Sequence, residues 1–160
     1  MTYVLNLSHV SIQRGDTQVL SDVSWSTRPR QHWVIVGPNG AGKTTLARVA
    51  SGRLTPDAGE VTLSGANLCD ADPAEIATRV GLASAAVGAK IVPTQSVLDT
   101  VRSAAWGVAV AHDEEYEQID DERARALMEI FGVDGLARRE FATLSEGEAQ
   151  RVLLARALMT

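Results

Sequence analysis

A glycine-rich stretch at residues 37–45 carries the residue types that bind phosphate groups. Its sequence, GPNGAGKTT, has the spacing G-x-x-x-x-G-K-[ST] and lies between the apolar run 33–36 and a helical pattern starting at Leu46. Glycines let successive N–H groups face one concavity, and the following helix adds free donors and a positive dipole end. We therefore predict a phosphate-binding loop in which Lys43 neutralises the outer phosphates and Thr44 binds magnesium. The predicted contacts are Gly37, Pro38, Asn39, Gly40, Ala41, Gly42, Lys43, Thr44 and Thr45.

The composition describes one soluble domain in a reducing environment. One hundred and sixty residues, 45% of them hydrophobic, normally build one domain around one core. The formal charge of −5 disfavours nucleic acid as a partner. Lys43 and Lys90 are the only lysines, and the single Cys69 excludes an internal disulfide and suits a cytosol. No N-terminal signal is visible, and the longest small apolar stretch, residues 104–111, is too short to cross a bilayer.

Alternating apolar residues predict an antiparallel β part that feeds the phosphate loop. The alternation in the first strand changes phase between Leu7 and Val10, which predicts a bulge near Ser8 and His9. An apolar run without alternation predicts a buried strand directly before the loop. The predicted strands are residues 3–12, 19–27, 32–36, 60–65 and 80–83.

Capping residues mark the helix boundaries. The helix after the phosphate loop carries Leu46 and Val49 on one face and ends at Gly52. The acidic segment 113–122 is expected to be a solvated helix face or a loop. Further helices are predicted to begin at Asp72, Ser96 and Ser145, and one with an apolar face of Leu127, Ile130 and Phe131 ends at Gly132.

A second motif, LSEGEAQR, occupies residues 144–151 and is followed by LARAL at 154–158. It resembles the signature region of ATP-binding cassette (ABC) ATPases, in which L-S-G-G-Q precedes Q-R and A-R-A-L. Glutamates replace the first glycine and the glutamine. An ordinary capping box would explain the first serine and the second glutamate, but not the Q-R and A-R-A-L tail. The predicted signature residues are Ser145, Glu146, Gly147 and Glu148.

Other segments extend the resemblance over residues 3–159. QVLSDVS at 18–24, TPDAGEV at 55–61 and SVLDTV at 96–101 each resemble a family pattern. The resemblance implies an α/β fold: a P-loop NTPase core of ABC type with an N-terminal antiparallel β-subdomain and an incomplete α-helical signature subdomain.

The same resemblance implies a division of this N-terminal portion of the domain. Residues 1–93 would form the RecA-like and antiparallel β part with the phosphate loop. Residues 94–160 would form the helical subdomain with the signature helix.

The resemblance also implies a function. In the family, two cassettes pair head to tail, so Ser145 and Gly147 would contact the γ-phosphate of ATP bound to the partner's phosphate loop. The expected cofactors are ATP and Mg²⁺, and the expected partners are a second ABC subunit, identical or different, and transmembrane permease subunits. The location would be cytoplasmic, at the inner face of the membrane. The glutamate-containing signature and Trp33 resemble importers of iron complexes or molybdate.

Several residues depart from the family pattern. Arg14 stands where an aromatic residue usually stacks on adenine, and a guanidinium can also stack on a base. Ala85 occupies the place of a glutamine that touches magnesium and the membrane subunit, and Gln95 lies ten residues too late to replace it. Glu146 and Glu148 place negative charge where a triphosphate should arrive.

The family's catalytic groups are expected beyond Thr160. They comprise an Asp-Glu pair after an apolar strand and a later histidine, and none of this chain's residues matches them. His9, His32 and His112 are expected to be strand or surface residues. We therefore expect a fragment that binds ATP weakly and hydrolyses it poorly, because positioning and charge stabilisation drive phosphoryl transfer.

Three alternatives remain at this point. The chain could belong to a soluble ABC protein that acts on ribosomes or in repair, a class in which glutamate is frequent at the place of Glu148. It could be a binding-only remnant without hydrolysis. It could also be another phosphate-loop enzyme, such as a small-molecule kinase, although the sequence offers no acceptor-binding lid.

Overall fold

A computed structural model describes residues 3–107 and 118–160. Its internal contacts divide the chain into two compact units, Met1–Pro73 and Ala74–Thr160. The boundary between these units, after Pro73, is N-terminal to the predicted boundary between residues 93 and 94. The predicted boundary concerns the subdomains of the family and stays a prediction.

The first unit contains one antiparallel sheet and one helix. The sheet has the strand order β2-β1-β3-β4, and every neighbouring pair is antiparallel. The N-terminal antiparallel β part predicted from the sequence is therefore confirmed. Its elements are β1 (Leu5–Arg14), β2 (Thr17–Thr27), helix α1 (Lys43–Ala50), β3 (Ala58–Leu63) and β4 (Ala66–Asn67).

The predicted bulge in β1 is present. The pairing of β1 with β2 shifts register between Leu7 and Val10, and the backbone of His9 is left-handed with φ 52°. A Cβ on Gly59 of β3 would lie only 2.4 Å from the His9 carbonyl oxygen. Glycine therefore lets β3 approach the bulged strand closely.

Apolar side chains from the sheet and α1 form the core of this unit. Alternate residues of a strand share one face. The bulge shifts this alternation, so that Leu7 before it and Val10 and Ile12 after it are all buried. Val49 is the buried residue of α1, as its helical spacing predicted. The buried apolar residues are Leu7, Val10, Ile12, Leu20, Val49, Val61 and Leu68.

Two predicted strands, residues 32–36 and 80–83, are not formed. The first is exposed: the exposed fraction is 85% for Val34 and 87% for Val36. A strand is held by hydrogen bonds to a neighbouring strand, and the sheet of the described residues contains only β1 to β4. The apolar pattern predicted both strands, but the described part of the chain supplies no partner for either.

The second unit is helical. The predicted starts near Asp72, at Ser96 and at Ser145 are confirmed, and the Ser96 hydroxyl accepts a hydrogen bond from the Asp99 N–H at 3.0 Å. Short 3₁₀ turns cover Ser103–Trp106, Asp134–Leu136 and Phe141–Thr143. The helices are α2 (Pro73–Arg79), α3 (Ala85–Gly88), α4 (Val97–Arg102), α5 (Gln118–Ile130) and α6 (Glu146–Ala157).

Helices α4, α5 and α6 enclose the core of the second unit. Ala124 and Met128 are the buried residues of α5, whereas Ile130 is 74% exposed, so its predicted place on the apolar face is wrong. The helix turns Ile130 away because the core lies on the i, i+4 row of the two buried residues. The core residues are Val97, Val101, Ala104, Ala124, Met128, Val133, Val152, Ala155 and Met159.

The acidic segment is only partly described, since residues 113–117 lie outside the described residues. Within its described part, Asp121 is partly buried and pairs with Arg102 at 3.0 Å and with Arg125 at 3.2 Å. At this position the expected solvated face is instead an ion-paired contact between α4 and α5. No helix in residues 3–107 or 118–160 has the length and apolar character needed to span a bilayer.

Candidate nucleotide-binding loop and signature helix

The phosphate loop ends where α1 begins. Gly40 and Gly42 both have left-handed backbones, with φ 82° and 83°, and Gly42 is the N-cap of the helix. A Cβ on Gly42 would lie 2.8 Å from the Val19 carbonyl oxygen of β2. Glycine at this position therefore satisfies both the turn and the close approach of the loop to the sheet.

Lys43 closes the loop on itself. Its Nζ donates hydrogen bonds of 2.7 Å to the carbonyl oxygens of Gly37 and Pro38. The N–H of Ala41 also donates to Pro38, at 3.3 Å, so this amide serves the turn. An ammonium group has three donors, and two of those of Lys43 hold the loop.

A cavity of about 270 Å³ lies against the loop. This volume is slightly below the range of about 300–1,000 Å³ that is usual for whole small-molecule sites. The sequence did not single out Val19, which lines the cavity from the sheet. The lining residues are Val19, Asn39, Gly40, Gly42, Lys43, Thr44 and Thr45.

Arg14 is not among the residues that line this cavity. It lies exposed at the end of β1, and its Nη1 donates to the neighbouring Gln13 carbonyl at 3.0 Å. The predicted stacking of Arg14 on a base therefore stays a prediction.

Thr44 is the predicted magnesium ligand of the loop, and its exposed hydroxyl-bearing side chain lines the cavity. No group of three or more His, Cys, Asp or Glu residues that could hold a metal ion occurs in the described ranges. A metal at this loop would need ligands besides Thr44, and Mg²⁺ commonly takes phosphate oxygens and water.

The signature motif lies at the N-terminus of α6, and its serine and second glutamate form a complete capping box. The Ser145 hydroxyl accepts from the Glu148 N–H at 3.4 Å. In return, Glu148 Oε2 accepts from both the N–H and the hydroxyl of Ser145, each at 2.7 Å. These bonds satisfy donors that a helix start otherwise leaves free.

Glu148 is held as a carboxylate. Hydrogen bonds from the Ser145 hydroxyl and then from the Ser145 N–H lower the pKa of Glu148, and the positive charges of Arg139 and Arg151 act in the same direction. Arg139 Nη1 lies 3.7 Å from Glu148 Oε1. Arg139 could not be identified from the sequence, because it precedes the motif and belongs to no recognised pattern.

Gly147 has space around it. A Cβ at this position would meet only Arg151 Nη1, at an ordinary contact distance of 3.8 Å, and Gly147 is exposed. Packing within the second unit therefore does not require glycine here. A close approach by a ligand from outside would require it.

The remaining residues singled out in the sequence have structural places. Ala85 is the exposed first residue of α3, and Gln95 is buried and donates to the Thr100 hydroxyl at 3.3 Å. His9 pairs with Asp22 at 2.7 Å. His32 is exposed, and His112 lies outside the described residues.

Comparison with known proteins agrees with the two motifs. A family model described as ABC transporter matches residues 20–160. An uncharacterized ABC transporter ATP-binding protein of Bacillus subtilis is 34% identical over 157 residues, which cover 98% of this chain and 59% of the relative. A hemin import ATP-binding protein of Thermobifida fusca is 39% identical over 160 residues, covering 98% and 54%. A molybdate/tungstate import ATP-binding protein of Thermococcus kodakarensis is 37% identical over 139 residues, covering 87% and 39%.

Solved structures show the same fold. A nucleotide-free ATP-binding cassette from an ABC transporter superposes with a TM-score of 0.76 at 24% identity, covering 99% of this chain and 65% of that one. A dimeric bacterial ABC transporter cassette gives 0.79 at 22% identity, covering 97% and 69%. The predicted fold class is thereby confirmed. The chain spans between 39% and 59% of the length of the three relatives above, and it belongs to the ABC transporter family.

Proposed function

We propose that this chain is the ATP-binding portion of an ABC transporter subunit, which binds MgATP and couples it to transport by membrane subunits. The observation that carries the proposal is the cavity beside the G-x-x-x-x-G-K-[ST] loop, in which Lys43 donates back to the Gly37 carbonyl oxygen. The import proteins named above lend support, because they are ATP-binding subunits of the same family.

At the phosphate loop, all nine residues from Gly37 to Thr45 are proposed to bind the nucleotide. Lys43 would keep its bonds to Gly37 and Pro38 and donate its third proton to a phosphate oxygen. The Thr44 hydroxyl would hold the magnesium ion, which supplies charge neutralisation at the phosphates. Arg14 is proposed to stack on the base.

At the signature, a second copy of the chain or a related ABC subunit is proposed to complete the site. Ser145 caps α6, whose N-terminal donors and dipole favour an anion. Gly147 is exposed and free of internal packing demands, so a γ-phosphate held by the partner could approach its backbone. Glu146 and Glu148 lie in the first turn of α6 and are proposed to face the same nucleotide.

Hydrolysis and location follow from the same proposal. The subunit would lie in the cytoplasm against transmembrane permease subunits at the inner face of the membrane. The 160 residues by themselves are proposed to bind ATP weakly. They would hydrolyse it poorly, because none of them matches the family's general base.

Titration calorimetry with MgATP tests the binding step. Lys43→Met should weaken the affinity about 10- to 150-fold, since a hydrogen bond to a charged group is at stake. Lys90→Met is the matched control, because Lys90 is the only other lysine and is exposed. Equal affinities of the Lys43→Met variant and the wild type would refute the proposed site.

A further inference from the structure

Both carboxylate oxygens of Glu148 are engaged. Oε2 accepts the N–H and the hydroxyl of Ser145, each at 2.7 Å, and Oε1 faces Arg139 Nη1 at 3.7 Å. The Ser145 hydroxyl proton therefore points at Glu148. The rotamer of the signature serine is set by the glutamate that stands three residues later.

Arg139 is itself fixed from several directions. Its Nη2 donates to the Thr143 carbonyl oxygen. Its backbone carbonyl accepts from the Val97 N–H at 2.9 Å, and its own N–H donates to Leu136 at 2.9 Å. A guanidinium held at its backbone and at one nitrogen presents the other nitrogen to Glu148 at little further entropic cost.

The contact with Arg139 requires a carboxylate at position 148 and would not suit an amide. A glutamine at position 148 could still accept from Ser145 through its amide oxygen, but its NH₂ group would then face the Arg139 guanidinium. Both groups are donors only, so no hydrogen bond could form between them. Arg139 and Glu148 therefore belong together chemically.

Charge gives the pair a consequence for phosphate binding. An uncompensated Glu148 would repel an approaching triphosphate, whereas Arg139 provides a counter-charge on the side away from Ser145. We propose that Arg139 is a positioning residue of the signature: it anchors Glu148 and neutralises its charge, so that the carboxylate holds Ser145 at the start of α6 without repelling a phosphate held by the partner subunit. This inference rests on the shared ATP site proposed above.

The experiment compares Arg139→Met with Arg138→Met, which removes the adjacent exposed arginine, in the full-length chain. The first readout is the pKa of Glu148, followed by carboxyl ¹³C NMR without nucleotide. It should rise in Arg139→Met and stay unchanged in Arg138→Met. An unchanged pKa in Arg139→Met would overturn the inference and leave the shared site standing.

The second readout is association of two copies driven by MgATP, followed by light scattering. Arg139→Met should raise the MgATP concentration for half-maximal association about two- to fivefold, the range expected for a partly exposed ion pair. In the background of Glu148→Gln, the same Arg139→Met change should have no further effect, because the neutral amide needs no counter-charge. A purely structural role of Arg139 would instead give additive losses in the double variant.

The outcomes separate the two proposals. MgATP-driven association of the wild type, with Arg139→Met indistinguishable from Arg138→Met, would overturn the positioning role alone. A wild type that binds MgATP without associating would overturn the shared site and the positioning role with it.

Discussion

Replacing Gly42 by alanine tests how the phosphate loop is seated on the sheet. Gly42 has φ 83°, and an added Cβ would meet the Val19 carbonyl oxygen at 2.8 Å and Leu20 Cδ2 at 3.0 Å. Gly40 provides the control, because it has φ 82° but nothing within 4 Å of its Cβ position. The two positions share a left-handed backbone, and only Gly42, which is also the N-cap of α1, has the close contact.

The magnitudes follow from these two contributions. A left-handed backbone costs an alanine about 1–2 kcal/mol, so Gly40→Ala should lower the free energy of unfolding by that amount. Gly42→Ala should lose about 1–3 kcal/mol more, the usual cost of forcing extra atoms into a packed contact. The rigid partner is a backbone carbonyl of β2, which cannot move aside as a flexible side chain would.

Urea unfolding followed by tryptophan fluorescence measures the difference. Trp25 and Trp33 lie in the same unit as the loop, with ring centroids 5.6 Å apart, so their emission reports on this unit. Equal losses in the two variants would refute the reasoning, because the contact with Val19 would then have no energetic weight.

Three further predictions concern the second unit. Ser96→Ala removes the N-cap of α4 and should cost about 0.5–2 kcal/mol in thermal unfolding, whereas Ser96→Thr should restore most of the loss because it keeps the hydroxyl that also donates to Asp99. Gly81→Ala would place a Cβ 1.8 Å from the Ala157 carbonyl oxygen and should cost about 1–3 kcal/mol, while Gly135→Ala, with nothing within 4 Å, should be nearly neutral; equal melting temperatures would contradict this. Because the folded state lowers the pKa of Glu148, this carboxylate should stabilise the fold above the ordinary glutamate pKa and lose that effect as the pH falls through the lowered pKa. The stability difference between the wild type and Glu148→Gln should therefore shrink in acid, and a difference independent of pH would contradict this prediction.

Local features of this fold are predictable from the sequence. The caps at Ser96 and Ser145 and the turn at Gly42 depend on residues within three positions of one another, so their types alone determine the hydrogen bonds. The bulge near His9 was visible as a phase change in the alternation of β1.

Non-local features were not predictable in the same way. Residues 32–36 have the composition of a buried strand, but a strand also needs neighbours, and the described residues provide none. Val19 reaches the loop and Arg139 reaches Glu148 through the tertiary fold, and neither residue had a predicted role at a site. Ile130 fits a helical apolar pattern, yet the packing of α5 buries a different stripe.

We propose that one ATP is bound between the phosphate loop of one copy and the signature of another. A mixture of two variants of the full-length chain, Lys43→Met and Ser145→Arg, tests this arrangement. Each variant alone should fail to associate with MgATP, whereas the mixture should form dimers that hold one ATP, because one intact loop meets one intact signature. A mixture that behaves as the sum of its two components would contradict the claim.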